Sequence, residues 1–284
     1  MTDITIANSN TKLAASVYGP PTATPILFLH GISLSRDTWE EIAQRLSSTY
    51  CVWTLDFRGH GHSERSSRYE LADYVSDAEA ALAAIGQPAI VVGHSLGGCV
   101  AGVLAQTPYP MVRAVFLSDP PWYWGKAGEA ARTSIPKLFA IISAKQAAWQ
   151  KENAPLATYQ AFLANAPSPM GGIASDHTSP RHLLSHASAL QRQDNRCWEN
   201  AASGEILATI ATDREFRCPA KIIQGDPRCG AALLDDQVVQ LANANPRAEI
   251  VQYRGCGHAP YRMIAFEQRL FGDLENFILR HRSS

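Results

Sequence analysis

The chain has 284 residues, with 25 Lys and Arg against 26 Asp and Glu and a formal net charge of −1. That length holds one large domain or two ordinary ones, with core enough to need no metal or disulfide staple. The balanced charge argues against a nucleic-acid binder, which needs a basic excess, and against a polybasic membrane anchor. Residues 1–10 lack the positive n-region and apolar h-region of a signal peptide, and no apolar run approaches the ~20 residues of a membrane span. The six cysteines are scattered without a CxxC pair, which reads neither as a zinc site nor as a disulfide framework. The expectation is a soluble cytoplasmic protein with reduced thiols, a monomer or homodimer that contacts no nucleic acid and no membrane.

Taken in chain order, residues 3–7 and 12–18 read as an edge hairpin, and 26–29 as a short buried strand ending at His30-Gly31. A helix with Trp39, Ile42, Ala43 and Leu46 on one face follows over 36–47. A strand at 51–55, a helix at 70–85, a strand at 89–92, a small-residue helix at 95–106 and a strand at 112–117 complete the first 119 residues. Continuous apolar strands separated by amphipathic helices predict a mostly parallel sheet flanked by helices, an α/β fold. Residues 120–212 break the rhythm. They open with Asp119-Pro120-Pro121, are rich in Ala, Ser and Gln, and show helix-like pieces at 137–150, 155–164, 181–192 and 197–211 but no convincing strand. The alternation resumes with a strand at 220–223, a helix near 232–243, a strand at 248–253 and a helix over 262–280. The expected organisation is one α/β core, 1–119 and 213–284, interrupted by a helical insertion at 120–212.

Gly93-His94-Ser95-Leu96-Gly97-Gly98 lies between the strand at 89–92 and the next helix. This is G-x-S-x-G in the strand–turn–helix setting that presents a serine hydroxyl at the end of a sheet. The glycines permit a sharp turn and close backbone approach, and the helix N-terminus favours negative charge developing at the same point. Ser95 is therefore the candidate nucleophile.

Four motifs in order make the chain resemble the α/β-hydrolase superfamily. They are His30-Gly31, Asp56-Phe57-Arg58-Gly59-His60-Gly61-His62-Ser63, Gly93–Gly98 and Gly255-Cys256-Gly257-His258. The insertion at 120–212 falls where that family commonly carries a lid. The resemblance implies a base, and His258 fits that place; physically, serine needs a neighbour that takes its proton near neutral pH. It also implies an acid about three residues beyond the glycine ending the strand before the penultimate helix. Arg228 occupies that position and cannot serve. Asp226, two residues earlier, is the preferred acid; Asp119, just past the strand at 112–117, is the alternative used by some relatives, with Asp235 and Asp236 behind them. By the family pattern the backbone N–H groups of Ile32 and Leu96 form the oxyanion hole, and His30 buttresses the loop.

Asp56, Arg58, His60 and His62 read as a polar structural knot rather than a metal site. In the insertion, Asp176-His177 is followed by His182 and His186, whose i, i+4 spacing would place both rings on one helical face. Without further ligands nearby, solvated positions explain them better than zinc. Trp122 and Trp124 follow the Asp-Pro-Pro turn, either as walls of an apolar substrate pocket or as packing anchors. Cys229 and Cys256 sit on loops expected near one another, with free thiols the default.

These readings converge on a serine hydrolase that cleaves a carboxylic ester or lactone of a small, mostly apolar carbonyl compound through an acyl-enzyme. Carbon–carbon, thioester or amide hydrolysis reuses the same residues, and a non-catalytic small-ligand receptor is the alternative of another class. No Rossmann or P-loop fingerprint is present, so no cofactor and no metal are expected.

Overall fold

Eight strands supply the frame on which every candidate residue hangs. In the computed structural model, which describes residues 1–282, these are β1 (Thr2–Asn8), β2 (Thr11–Tyr18), β3 (Pro25–Leu29), β4 (Cys51–Leu55), β5 (Ala89–His94), β6 (Val112–Ser118), β7 (Ala220–Gln224) and β8 (Glu249–Gln252). They form one sheet in the order β1-β2-β4-β3-β5-β6-β7-β8. The hairpin β1–β2 is antiparallel and joins β4 antiparallel; every pairing from β4 to β8 is parallel.

The apolar runs are continuous because both faces of the sheet are covered. Leu27, Leu29, Val91, Val115 and Leu117 belong to one buried cluster, together with helices α2 (Leu71–Ile85) and α3 (Leu96–Ala105). The alternating residues Ile26, Phe28, Ile90, Val92 and Phe116 belong to the other, under α1 (Glu40–Leu46) and the C-terminal helix (Glu267–His281). Each such side chain contributes roughly 1.5–3 kcal/mol when fully buried. Helix α2 starts with a reciprocal cap between Glu70 and Asp73 and stops at Gly86, whose left-handed φ of 74° ends the helix.

Between β6 and β7 the chain forms α4 (Ile135–Lys151), α5 (Leu156–Ala164) and α6 (Pro180–Arg192), and adds no strand to the sheet among the described residues. Gln146 of α4 is buried and donates to the carbonyls of Leu190 and Gln193, which ties α4 to the end of α6. The helix expected over 197–211 is absent. Short 3-10 turns at Asn195–Trp198 and Glu205–Leu207 replace it, because Asn200 (φ 65°) and Gly204 (φ 79°) take left-handed conformations that interrupt a helix. After β7 come α7 (Asp235–Ala244) and then α8 (Glu267–His281). The last helix starts five residues later than its apolar spacing suggests. Pro260–Arg262 form a separate 3-10 turn, and Met263 is extended. No helix of the described residues is long and apolar enough to cross a membrane.

Candidate active site

Ser95 is delivered by the tight junction of β5 and α3. Its own backbone is strained, with φ 53° and ψ −117°, a conformation held by its surroundings. A Cβ on Gly93 would lie 2.1 Å from the Gly97 carbonyl oxygen, and one on Gly97 would lie 2.3 Å from that of Leu29. Glycine is required at both positions by close approach. The Gly97 N–H donates to the His30 carbonyl at 3.1 Å, locking the start of α3 against the end of β3.

His258 arrives on the loop after β8, and its Nδ1 lies 2.6 Å from Asp119 Oδ2. Asp119 follows β6, is fully buried, and has a positive φ of 45°. Its carboxylate also accepts the N–H groups of Gly225 (3.2 Å), Ala232 (2.7 Å) and Leu233 (3.3 Å). Three backbone donors plus the imidazole fix the direction of the carboxylate. A carboxylate at Nδ1 assigns the ring proton there and leaves Nε2 as the acceptor. Ser95 and His258 line the same cavity of about 250 Å³, with no hydrogen bond between their side chains; such contacts are commonly loose until substrate enters.

Asp226, the acid preferred from sequence, does not face His258. It caps the Pro227–Cys229 turn, and its oxygens accept from Arg228 (Nε at 3.0 Å, Nη2 at 2.8 Å) and from the Gly255 N–H at 2.9 Å. The Arg228 hydrogen bond, with that of Gly255, holds its carboxyl well below the usual carboxylate range. Asp235 is taken by the side-chain amides of Gln224 and Gln252, and Asp236 by Arg132. The geometry therefore pairs His258 with Asp119.

The N–H of Leu96 is the first of α3, and that of Ile32 sits in the turn from Gly31 to Leu34; neither has a partner among the described residues. Both residues flank Ser95 around a recess of about 20 Å³ next to the main cavity. The two aromatic candidates separate. Trp124 lines this recess, with its indole N–H on the Ala232 carbonyl at 3.0 Å. Trp122 lines neither space and packs edge-on against Phe216 over Gly102, so its part is packing.

His30 and His94, beside the site, are buried and held as structural residues. His30 Nε2 accepts the Phe57 N–H, and burial pulls its pKa down to about 4. His94 is wedged between the His258 carbonyl and the Tyr261 hydroxyl, and burial, then the neighbouring His258, drives its pKa far down. Asp56 accepts from the backbone of Arg36 and His62, Arg58 pairs with Asp77 at 2.7 Å, and His60 is buried beside them. His182 and His186 are not a ligand pair. His186 bonds Ser33 and Arg262, and no group of three His, Cys, Asp or Glu among the described residues could hold a metal. All six cysteines are free, and Cys256 Sγ contacts the Met263 sulfur. Arg262 and Ser33, which line the cavity, escaped the sequence reading altogether; neither carries a motif, and what sets them apart is their partners in space.

Comparison with known proteins agrees with this fold. The model of the alpha/beta hydrolase family matches residues 26–265. A pimeloyl-(acyl-carrier protein) methyl ester esterase of Chromobacterium violaceum is 27% identical over 247 residues, covering 83% of this chain and 87% of that protein. A 2-(acetamidomethylene)succinate hydrolase of Mesorhizobium japonicum is 34% identical over 129 residues, covering 43% of this chain and 46% of that one. Among solved structures, the enol-lactonase from Burkholderia xenovorans LB400 superposes with a TM-score of 0.70 at 19% identity, over 97% of this chain and all of that one. With a sheet, an elbow serine and a family match that spans most of its length, this chain is an enzyme of the alpha/beta hydrolase family.

Proposed function

We propose that the protein hydrolyses a carboxylic ester or lactone through an acyl-enzyme on Ser95. Ser95 Oγ attacks the carbonyl carbon while His258 Nε2 takes its proton, and Asp119 stabilises the imidazolium that forms. The oxyanion is met by the N–H groups of Ile32 and Leu96 at the positive end of α3. Collapse breaks the carbon–oxygen bond, and His258 returns its proton to the leaving alkoxide. Water then attacks the acyl carbon and gives a proton to His258, which passes it to Ser95 Oγ as the acyl–oxygen bond breaks and the acid leaves. The steps balance with water as the sole co-substrate.

The observation that carries this reading is the 2.6 Å Asp119–His258 pair beside a cavity shared with a strained elbow serine. Ile135, Leu138, Phe139, Ile142 and Met170 line the same cavity, which suits a small substrate with an apolar body. The methyl ester esterase among the relatives supports oxygen-ester chemistry. A panel of p-nitrophenyl esters and small lactones tests the reading. Turnover of at least one, lowered about 10⁴-fold or more in Ser95→Ala, is expected. Silence across the panel with turnover of a diketone or amide would move the assignment to those bonds.

A further inference from the structure

The cavity beside Ser95 contains an arginine whose charge no acidic group answers. Arg262 ends the Pro260–Arg262 turn, four residues beyond His258, and lines the cavity with it. Its Nη2 donates to His186 Nδ1 at 3.1 Å and reaches the His182 carbonyl at 3.5 Å, the outer limit of a hydrogen bond. Its Nε is buried with no partner. A guanidinium has five N–H donors and stays protonated, so two neutral acceptors on one nitrogen leave most of its capacity unused. Among the described residues no carboxylate comes within ion-pair distance; desolvation pulls its pKa down, and Tyr261 is the one ionisable neighbour that opposes this. None of the cavity-lining residues is Asp or Glu. A guanidinium that is half-buried, with its Nε fully buried and no carboxylate beside it, calls for a partner.

A second donor converges on the same space. Burial, then Arg262, pushes the His186 pKa far down, so the ring is neutral. With Nδ1 accepting from Arg262, its proton is on Nε2 and is given to Ser33 Oγ at 3.1 Å. The Ser33 hydroxyl, already accepting, keeps its own hydrogen to offer. Ser33 lines the cavity next to Ile32, in a left-handed conformation (φ 67°) that the Gly31–Leu34 turn imposes. The loop bearing Arg262 is also stitched to the helical segment, because the Ile264 N–H donates to the His177 carbonyl at 3.0 Å.

We propose that Arg262, with Ser33 oriented by His186, is a carboxylate subsite, so that the ester or lactone cleaved at Ser95 bears a separate ionised carboxyl group. The inference rests on the hydrolase reading for the bond cleaved, and on Arg262, Ser33 and His186 for the charge. One guanidinium and one hydroxyl match the single charge and two oxygens of a carboxylate, whereas a phosphate dianion calls for more cation. The substrate class is thus a monoester or lactone of a small dicarboxylic acid, its apolar stretch lying along Ile135 and Phe139.

Two measurements test the subsite. In calorimetric titrations of Ser95→Ala protein, glutarate is expected to bind and the neutral glutaramide to bind at least tenfold more weakly. Arg262→Gln should weaken glutarate binding about tenfold to hundredfold, with Arg262→Lys between the two. In turnover, kcat/KM for mono-p-nitrophenyl glutarate over that for p-nitrophenyl pentanoate should exceed ten and fall towards one in Arg262→Gln. Because the ratio is taken within one preparation, loss of folded protein cancels. Equal binding of diacid and diamide, or a ratio untouched by Arg262→Gln, would overturn the subsite while leaving the hydrolase reading standing. Absence of turnover on both esters would count against the hydrolase reading, and the titrations would still decide the subsite.

Discussion

Asp119 and Asp226 end neighbouring parallel strands, so both emerge on the same edge of the sheet within reach of the loop that carries His258. What separates them is the donors each meets. Asp119 is pinned by three backbone N–H groups from the segment after β7, which aim its free edge at His258. Asp226 is captured two residues on by Arg228, an exposed side chain that folds back over it. Asp119→Asn keeps the shape but places an amide where the imidazole needs an anion, and should lower kcat about 10⁴-fold. Asp226→Asn should leave kcat within a few-fold and show as a lower melting temperature. Steady-state kinetics on the two variants separates them. The elbow serine and the loop histidine were conspicuous as candidates in the sequence because their glycine-rich motifs are local. The acid was not, because its choice depends on which backbone amides a loop about a hundred residues away presents.

At the scale of elements, the strands and helices of the sheet region were readable because both-face burial writes itself as apolar runs with helices between them. Failures fell where the pattern was helical but the backbone was not, at 197–211 and at 262–266. In the first, Asn200 and Gly204 turn the chain; in the second, the departure from helix is what places Arg262 on the cavity. The elbow itself is a contact between elements. Gly93→Ala would drive a methyl into the Gly97 carbonyl, and should cost about 3 kcal/mol or prevent folding, measured by denaturant unfolding. The polar knot acts between elements as well. Arg58, following β4, pairs with the fully buried Asp77 of α2 and also reaches Asp73 at 3.1 Å. Arg58→Ala leaves that carboxylate with the Asn8 amide and a backbone N–H but no cation, and should destabilise by about 3 kcal/mol in the same assay.

For the molecule as a whole, a near-zero net charge suggests an uncharged substrate, yet one unanswered arginine in a small cavity outweighs a sum taken over the surface. Net charge averages over positions, and recognition does not. The buried histidines have a further collective consequence. Burial lowers the pKa of His30 and His182 to about 4 and of His60 to about 3. In the unfolded chain these rings titrate near 6.5, so below that pH the unfolded state binds protons that the folded state refuses. Stability is therefore whole above about pH 7 and falls as the pH drops from 6.5 towards 4, with each such ring adding to the decline. Thermal melts across pH 4–8 should show this decline, and substituting His60 by Gln should make it shallower.

The central claim, that Ser95 is a nucleophile activated by His258 and Asp119, meets its most direct test in intact-protein mass spectrometry after exposure to a fluorophosphonate. A single adduct mapped to Ser95 is predicted, absent in Ser95→Ala and formed at least a hundredfold more slowly in His258→Ala. A wild-type protein that takes up no label, or a label that persists in Ser95→Ala, would contradict it.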